Sequence, residues 1–144
     1  YDNNDSLQRL QKIRSPLYDI SGKNRVTFKM NHQYETEWDH DSVGVSIYDA
    51  NENLLFRDGW SGHEWGNYVS NYFSITNNEG FDSLRLVLWF KTDQTVNYRG
   101  WDINSFTMYA LDMHSCPLKK VHLILCLKLI LIFKVFSPIH RLEK

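Results

Sequence analysis

The chain has 144 residues, of which 42% are hydrophobic and 15% aromatic, and its formal net charge is -1. This length suits one domain, which can bury about two thirds of its unfolded surface without disulfides or metal ions. Residues 1–114 carry a charge balance of -6 and residues 115–144 one of +5. Because phosphate contacts need clustered Lys and Arg, the acidic body argues against nucleic acid as a partner.

The positions of the cysteines and the start of the chain indicate where the protein could reside. Cys116 and Cys126 both follow residue 114, so the acidic body contains no cysteine. A cysteine-free body fits either a cytosolic protein or an exported bacterial protein that avoids thiols. The chain begins at Tyr1 without a basic and apolar leader, and we interpret it as a piece of a longer protein.

Residues 1–14 are predicted to be a lead-in segment. Leu7, Leu10 and Ile13 recur at helical spacing, but the segment is short and polar, so we expect at most one or two marginal helical turns. Proline disfavours a helical conformation in the residue before it, so Ser15-Pro16 marks a boundary. We therefore expect the folded domain to span residues 15–111.

The first predicted strand follows Arg25, where the apolar period becomes two. Its predicted inner face is formed by Val26, Phe28, Met30, His32 and Tyr34. His32 stands on this apolar face, where a satisfied core histidine is the usual outcome. A charged loop over residues 35–42 leads to a second strand with Val43, Val45 and Ile47 inward. Residues 49–53 predict a hairpin connection into a third strand at residues 54–57.

The second half of the body predicts three more strands. Residues 59–66 contain Trp60 and Trp65 and are expected to form a glycine-punctuated loop, before an alternating strand at 69–75 and a turn at 76–80. Residues 84–90 place Leu at alternate positions inward, with Val87 and Trp89 on a partly covered outer face. A polar loop over residues 92–100 then precedes a last strand at 101–111. The pattern predicts an all-β fold, an antiparallel β-sandwich.

Residues 112–144 form an atypical basic and apolar tail. Residues 121–136 are almost all apolar but include Lys128 and Lys134, and a bilayer span needs ~20 apolar residues. The abrupt change of composition also fits a change of reading frame near residues 113–116. Three interpretations stay open: a frame or gene boundary, a short membrane anchor, and a buried C-terminal element.

Several motifs, taken in order, resemble those of MAM-type and cleaved-adhesin-type jelly-roll domains. They are SPLYDISG at residues 15–22, EWDHDSVGVSI at 37–47, LRLVLWFKTD at 84–93 and GWDINSF at 100–106. Domains of this kind occur as accessory domains of immune inhibitor A-type secreted bacterial metallopeptidases. The resemblance covers about residues 15–110 and implies a jelly-roll sandwich in an exported, extracellular protein. The family pattern has paired aspartates where this chain has Asn104-Ser105.

Acidic side chains before and after the predicted strands are candidate ligands of a structural calcium ion. Calcium takes six to eight oxygen ligands, usually with several carboxylates. The candidate ligands are Glu37, Asp39, Asp41, Asp93, Asp102 and Asn104. The first three precede one strand and the last three flank the loop before another, so the two groups could meet at one end of the sandwich; the competing interpretation is that they are solvated acidic loops.

Aromatic residues in or beside loops are candidate ligand-binding residues, because exposed aromatic faces stack on sugar rings or anchor protein partners. They are Trp38, Trp60, Trp65, Tyr68 and Tyr98. The competing interpretation is that they cover the ends of the sandwich core.

The sequence contains no HExxH zinc motif, no GxSxG motif and no glycine-rich phosphate loop, and we expect no intrinsic catalysis. We expect a non-catalytic accessory or adhesion-type module that presents loops to other domains of its parent protein, to a substrate protein or to a surface glycan. The alternatives are a free-standing carbohydrate-binding module and a non-functional remnant of a truncated gene. A membrane is expected as a partner only if residues 121–136 are an anchor.

Overall fold

The computed structural model describes residues 9–93, 98–112, 121–127 and 131–133. Every regular element in these ranges is a β-strand. The strands are β1 (Arg9–Arg14), β2 (Tyr18–Asp19), β3 (Lys23–Glu35), β4 (Ser42–Asp49), β5 (Leu54–Trp60), β6 (His63–Thr76), β7 (Ser83–Thr92), β8 (Gly100–Asp112), β9 (Val121–Leu127) and β10 (Leu131–Phe133).

The strands form two antiparallel sheets. Sheet A has the order β1-β7-β4-β5, with β2 also paired to β7, and sheet B has the order β10-β8-β3-β6, with β9 also paired to β8. From β2 to β8 the chain crosses between the sheets at every connection except the β4–β5 hairpin. This is the strand arrangement of a jelly roll. The predicted antiparallel jelly-roll β-sandwich is confirmed.

The hydrophobic core lies between the two sheets and follows the predicted alternation. Val26, Phe28, Met30 and His32 of β3 have no exposed surface. The predicted inner faces of β4 and β7 are also buried, and Trp101 of β8 is completely buried. Phe28 stacks on Phe73 of β6 with ring centroids 5.2 Å apart. The period of two therefore located the core correctly, because a pleated strand sends alternate side chains to opposite faces.

Residues 9–14 differ from the prediction. Where the structure describes them, residues 9–14 form β1 and pair with β7 instead of making helical turns. Ile13 is partly exposed and lines an open apolar pocket of about 140 Å³ with Leu86, Leu88, Ile103 and Phe106. The helical expectation is wrong here because residues 9–14 form an edge strand whose hydrogen bonds to β7 are anchored by the sheet, whereas one or two isolated helical turns are marginal. Residues 1–8 lie outside the described residues.

The predicted loop over residues 59–66 is also wrong. β5 continues to Trp60 and β6 begins at His63, so Ser61 and Gly62 alone connect these two strands. Gly62 has a φ of 97°, a backbone conformation that favours glycine and permits such a short connection. The predicted hairpin at 49–53 is confirmed, with the Asp49 amide donating to the Asn53 carbonyl at 3.0 Å.

The strand at residues 101–111 is not the last one. β9 and β10 follow it, and both pair with β8 at the edge of sheet B. Among the described residues no helix is long and apolar enough to cross a membrane. The proposed boundary at residues 113–116, including Cys116, and the two tail lysines lie outside the described residues.

Candidate functional site

Six core strands bring three connections to one end of the sandwich. β3, β5 and β7 end there, while β4, β6 and β8 begin there. The connections are residues 36–41, residues 61–62 and residues 93–99, of which 94–97 lie outside the described part. Most of the aromatic residues predicted to bind a ligand lie at this end. We call the surface formed by Trp38, Trp65, Tyr68 and Tyr98 the aromatic end.

The connection over residues 36–41 is fixed by backbone hydrogen bonds. The amide of Asp41 donates to the Glu37 carbonyl at 3.0 Å, and Asp39 adopts a positive φ of 63° to close the turn. The Thr36 amide donates to the Gly62 carbonyl at 2.8 Å, and the Gly62 amide donates to Thr36 Oγ1 at 2.8 Å. These reciprocal bonds hold the loop against the β5–β6 connection, so it has a defined conformation.

Trp38 is the most exposed tryptophan of the aromatic end, with 68% of its surface accessible. Its indole lies directly on Gly62, where an added Cβ would be 2.4 Å from Trp38 Cε2. Gly62 is therefore required both for its positive φ and for the space above it. The glycine supports one side of the indole, and the rest of the ring stays open to solvent.

Trp65 is held by a small charged cluster. The Arg99 guanidinium lies over the Trp65 ring, 5.6 Å from its centroid. Arg99 Nε is 3.3 Å from Glu35 Oε2, and His63 Nδ1 is 3.3 Å from Glu35 Oε1. Trp65 is partly buried in this arrangement. Arg99 and Glu35 were not predicted as site residues, since their contact depends on the pairing of β3 with β8.

Tyr68 and Asp102 are joined by a hydrogen bond on the outer face of sheet B. Tyr68 Oη donates to Asp102 Oδ2 at 2.6 Å, and Gln33 Nε2 donates to the same oxygen at 3.1 Å. The hydrogen bond to Asp102 raises the pKa of Tyr68 above its ordinary value. Asp102 Oδ1 is buried and has no hydrogen-bond partner among the described residues. Tyr68 thus presents its ring at the surface with the hydroxyl already anchored.

A bulge in β6 brings Tyr68 over Asp102. His32 pairs with Val69 and Tyr34 with Glu64, so four residues of β6 oppose Gln33 alone. Gly66, inside this bulge, has a φ of 100° and donates its amide to Gln33 Oε1 at 3.1 Å. The sequence assigns Gln33 no role, because the register that places it beside Asp102 is a tertiary feature.

Trp60 lies at the same end of the sandwich, but its ring packs inward against the core. Its ring packs on His32 with centroids 4.7 Å apart. His32 is fully buried, and its Nδ1 accepts a hydrogen bond from Trp101 Nε1 at 2.9 Å. His32 is a core histidine as expected, but it is only half satisfied, because its Nε2 is buried without a hydrogen-bond partner among the described residues. For Trp60 the position favours the packing interpretation over ligand binding. Tyr98 is 42% exposed beside the start of β8.

The six candidate calcium ligands do not converge. Asp41 is almost fully buried, and its Oδ1 accepts the backbone amide of Asp93 at 2.9 Å. Asp102 is bonded to Gln33 and Tyr68 as described, and Asn104 donates to Asn31 Oδ1 at 2.9 Å. The backbone carbonyl of Glu37 and the amide of Asp39 make turn contacts. Within the described residues no three His, Cys, Asp or Glu side chains are grouped to hold a metal ion.

The chemistry available at the aromatic end is that of binding. It combines accessible aromatic rings with the Asp102 carboxylate and the Arg99 guanidinium, each fixed by a neighbour. Aromatic faces flanked by fixed polar groups are typical of surfaces that recognise sugars or protein side chains.

Comparison with known proteins gives little further information. No family model matches this chain, and no curated protein matches its sequence. A chain in the structure of infectious bursal disease virus Gt strain is 11% identical, with a TM-score of 0.35. The alignment covers 72% of this chain and 27% of the viral chain, so this chain spans about a quarter of that one. A similarity at this level supports no argument about function.

Proposed function

We propose that the chain is a non-catalytic recognition module of an exported bacterial protein, and that its aromatic end binds a partner protein or another domain of the same protein. The proposal rests on the position of Trp38. Its indole is 68% exposed yet rests on Gly62, so ring orientation is set before a partner arrives. Preorganised aromatic side chains lose little conformational entropy on binding and are frequent hot spots of interfaces.

The other groups at the aromatic end support this proposal. Arg99 and the Tyr68–Asp102 pair supply charged and polar contacts, which usually surround an aromatic anchor. The sequence motifs at residues 15–106 resemble accessory domains of secreted peptidases, which fits a module that presents loops to a partner.

A glycan is the second candidate partner. A tryptophan face open to solvent stacks on the apolar face of a sugar ring, and the exposed Arg99 guanidinium beside Trp65 can donate to hydroxyl groups. Arg99 is held by its ion pair with Glu35, as a rigid sugar-binding surface requires. The protein and the glycan interpretation use the same end and differ in the partner.

A printed array carrying both glycans and purified extracellular proteins would test the proposal. The wild-type chain is compared with Trp38→Ala, which removes the exposed indole, and with Trp60→Ala, which removes an indole packed on the core. We expect Trp38→Ala to lose array binding while its melting temperature stays within about 2 °C, since exposed substitutions change stability little. We expect Trp60→Ala to lose about 2 kcal/mol of stability or more, because it leaves a cavity.

Binding of the wild-type chain to the protein spots of the array would indicate a protein partner, and binding to the glycan spots would indicate a glycan partner. Binding that persists unchanged in Trp38→Ala would reject the aromatic end as the recognition surface. A Trp38→Ala variant that unfolds would show instead that Trp38 is a packing residue.

A further inference from the structure

The outer face of sheet A gathers positive charge from three strands. Its cationic side chains are Lys12 and Arg14 of β1, Arg57 of β5, and Arg85 and Lys91 of β7. Each alternates along its strand with residues that face the core, so all five project from the opposite side of the sheet. We call this surface the basic face.

The register shows how these strands bring the cations together. Arg14 is opposite Val87, Val87 is opposite Ser46, and Ser46 is opposite Arg57, so one cross-strand row carries a guanidinium at each end. Lys12 is opposite Trp89 in the next row. From Arg85 to Lys91 the face extends about 20 Å along β7, at about 3.3 Å per residue.

The basic face contrasts with the rest of an acidic body. Residues 1–114 hold 10 Lys and Arg and 16 Asp and Glu, and half of those cations lie on this one face. Glu52, from the β4–β5 hairpin, pairs with Arg14 at 3.0 Å and also with Arg85. The face therefore retains a local excess of positive charge, which concentrates anionic partners there.

The centre of the basic face is filled by Trp89. The Trp89 indole fills the space above two glycines, since an added Cβ would come within 2.2 Å of it at Gly44 and within 2.6 Å at Gly59. The Arg57 guanidinium covers this ring at 4.8 Å from its centroid. Trp89 Nε1 and Arg85 Nε are buried, so the donors within reach of a ligand are the exposed ends of the lysine and arginine side chains. Such a surface suits a ligand rich in acceptor oxygens.

We propose that the basic face binds a linear polysaccharide bearing sulfate or carboxylate groups. Guanidinium groups pair with these oxyanions through two parallel hydrogen bonds, and the length of the face requires several anionic groups in series. Single-stranded nucleic acid is disfavoured because Trp89 is 7% exposed and lies beneath Arg57, so it offers no open ring for base stacking. This site is on a different surface from the aromatic end and does not depend on its function.

Titration of the chain with a heparin octasaccharide at low salt would test the proposal. The test variant is Lys12→Gln with Lys91→Gln, which leaves the pairs of Glu52 intact. The matched control is Lys23→Gln with Lys29→Gln, which removes the same charge from β3 of sheet B. A neutral dextran oligosaccharide and an oligothymidylate of equal charge are the comparison ligands.

We expect the octasaccharide to bind the wild-type chain. Its affinity for the test variant should be about tenfold lower, because the charge-assisted contacts of two lysines are lost. The slope of log affinity against log salt should fall by about two, one for each lysine removed. The control variant and Trp38→Ala should bind as the wild type does. Absence of binding at low salt, an equal loss in the control variant, or equally tight binding of oligothymidylate would each overturn the proposal.

Discussion

Protonation of His32 should destabilise the sandwich as the pH falls. The ring has no exposed surface and packs on Tyr34 and Trp60, with centroids 5.6 and 4.7 Å away. Its Nδ1 accepts the Trp101 Nε1 hydrogen bond, so the neutral ring carries its proton on Nε2. A second proton would have to go onto Nδ1, where it would face another donor. The charged form therefore loses both its hydration and this bond.

The size of the effect follows from the pKa. Burial lowers the pKa of His32 from 6.5 to about 4, and the nearby Asn71 side chain opposes the shift, although Nε2 makes no hydrogen bond of good geometry. Between these pH values the unfolded chain binds more protons than the folded one, so the free energy of unfolding decreases as the pH is lowered. At about 1.4 kcal/mol per pH unit, the stability lost by pH 4 is about 3 kcal/mol. For a domain of this size that is roughly 10 °C in melting temperature.

Urea unfolding followed by tryptophan fluorescence from pH 4 to 7.5 measures this loss. His32→Gln retains an acceptor for Trp101 but does not titrate, so its stability should change much less between pH 6.5 and 4.5. His40→Gln, at an exposed histidine, should keep the wild-type pH dependence. The hydrogen-bonded carboxylates of Asp19 and Asp49 have lowered pKa values, and they contribute equally to all three proteins.

An equally steep pH dependence in His32→Gln would refute the reasoning. If that variant does not fold, an NMR titration of the wild-type ring gives a second measurement. A His32 pKa near 6.5 in the folded protein would refute it equally.

Three further predictions concern stability. Gly62→Ala should lower the free energy of unfolding in urea by about 2 kcal/mol or more, because it combines a positive φ with a clash against Trp38. Gly66 has a similar φ but open space around it, so Gly66→Ala should lower the free energy of unfolding by about 1 kcal/mol. Equal costs would show that the Trp38 contact is not rigid. Asn77→Ala should cost about 2–3 kcal/mol, because this buried amide bonds the Lys23 and Phe81 backbones, and a loss below about 0.5 kcal/mol would contradict that role. EGTA should leave the melting temperature unchanged, because the carboxylates around Asp41 are not grouped as calcium ligands; calorimetric heat on calcium addition would contradict this.

The candidate site could be predicted from the sequence only as a set of residues. Tryptophan in a glycine-rich or acidic loop indicated exposure for Trp38 and Trp60 alike. The structure separates them, because β5 continues through Trp60 and directs its ring to His32, while the turn at residues 36–41 leaves Trp38 outside. The same sequence signal therefore had two outcomes.

The sequence by itself determined the fold class and the inner faces of β3, β4 and β7, since the alternation of Val26, Phe28 and Met30 reflects only the pleat of its own strand. Tertiary structure decided the rest. Residues 9–14 became a strand because β7 was available to pair with them, and Gln33 met Asp102 through the register of β3 with β8. The basic face needs Lys12, Arg57 and Lys91, which are far apart in the chain, to lie on three strands of one sheet. Periodicity is a property of neighbours in sequence, whereas a site is made by residues that only strand pairing brings together.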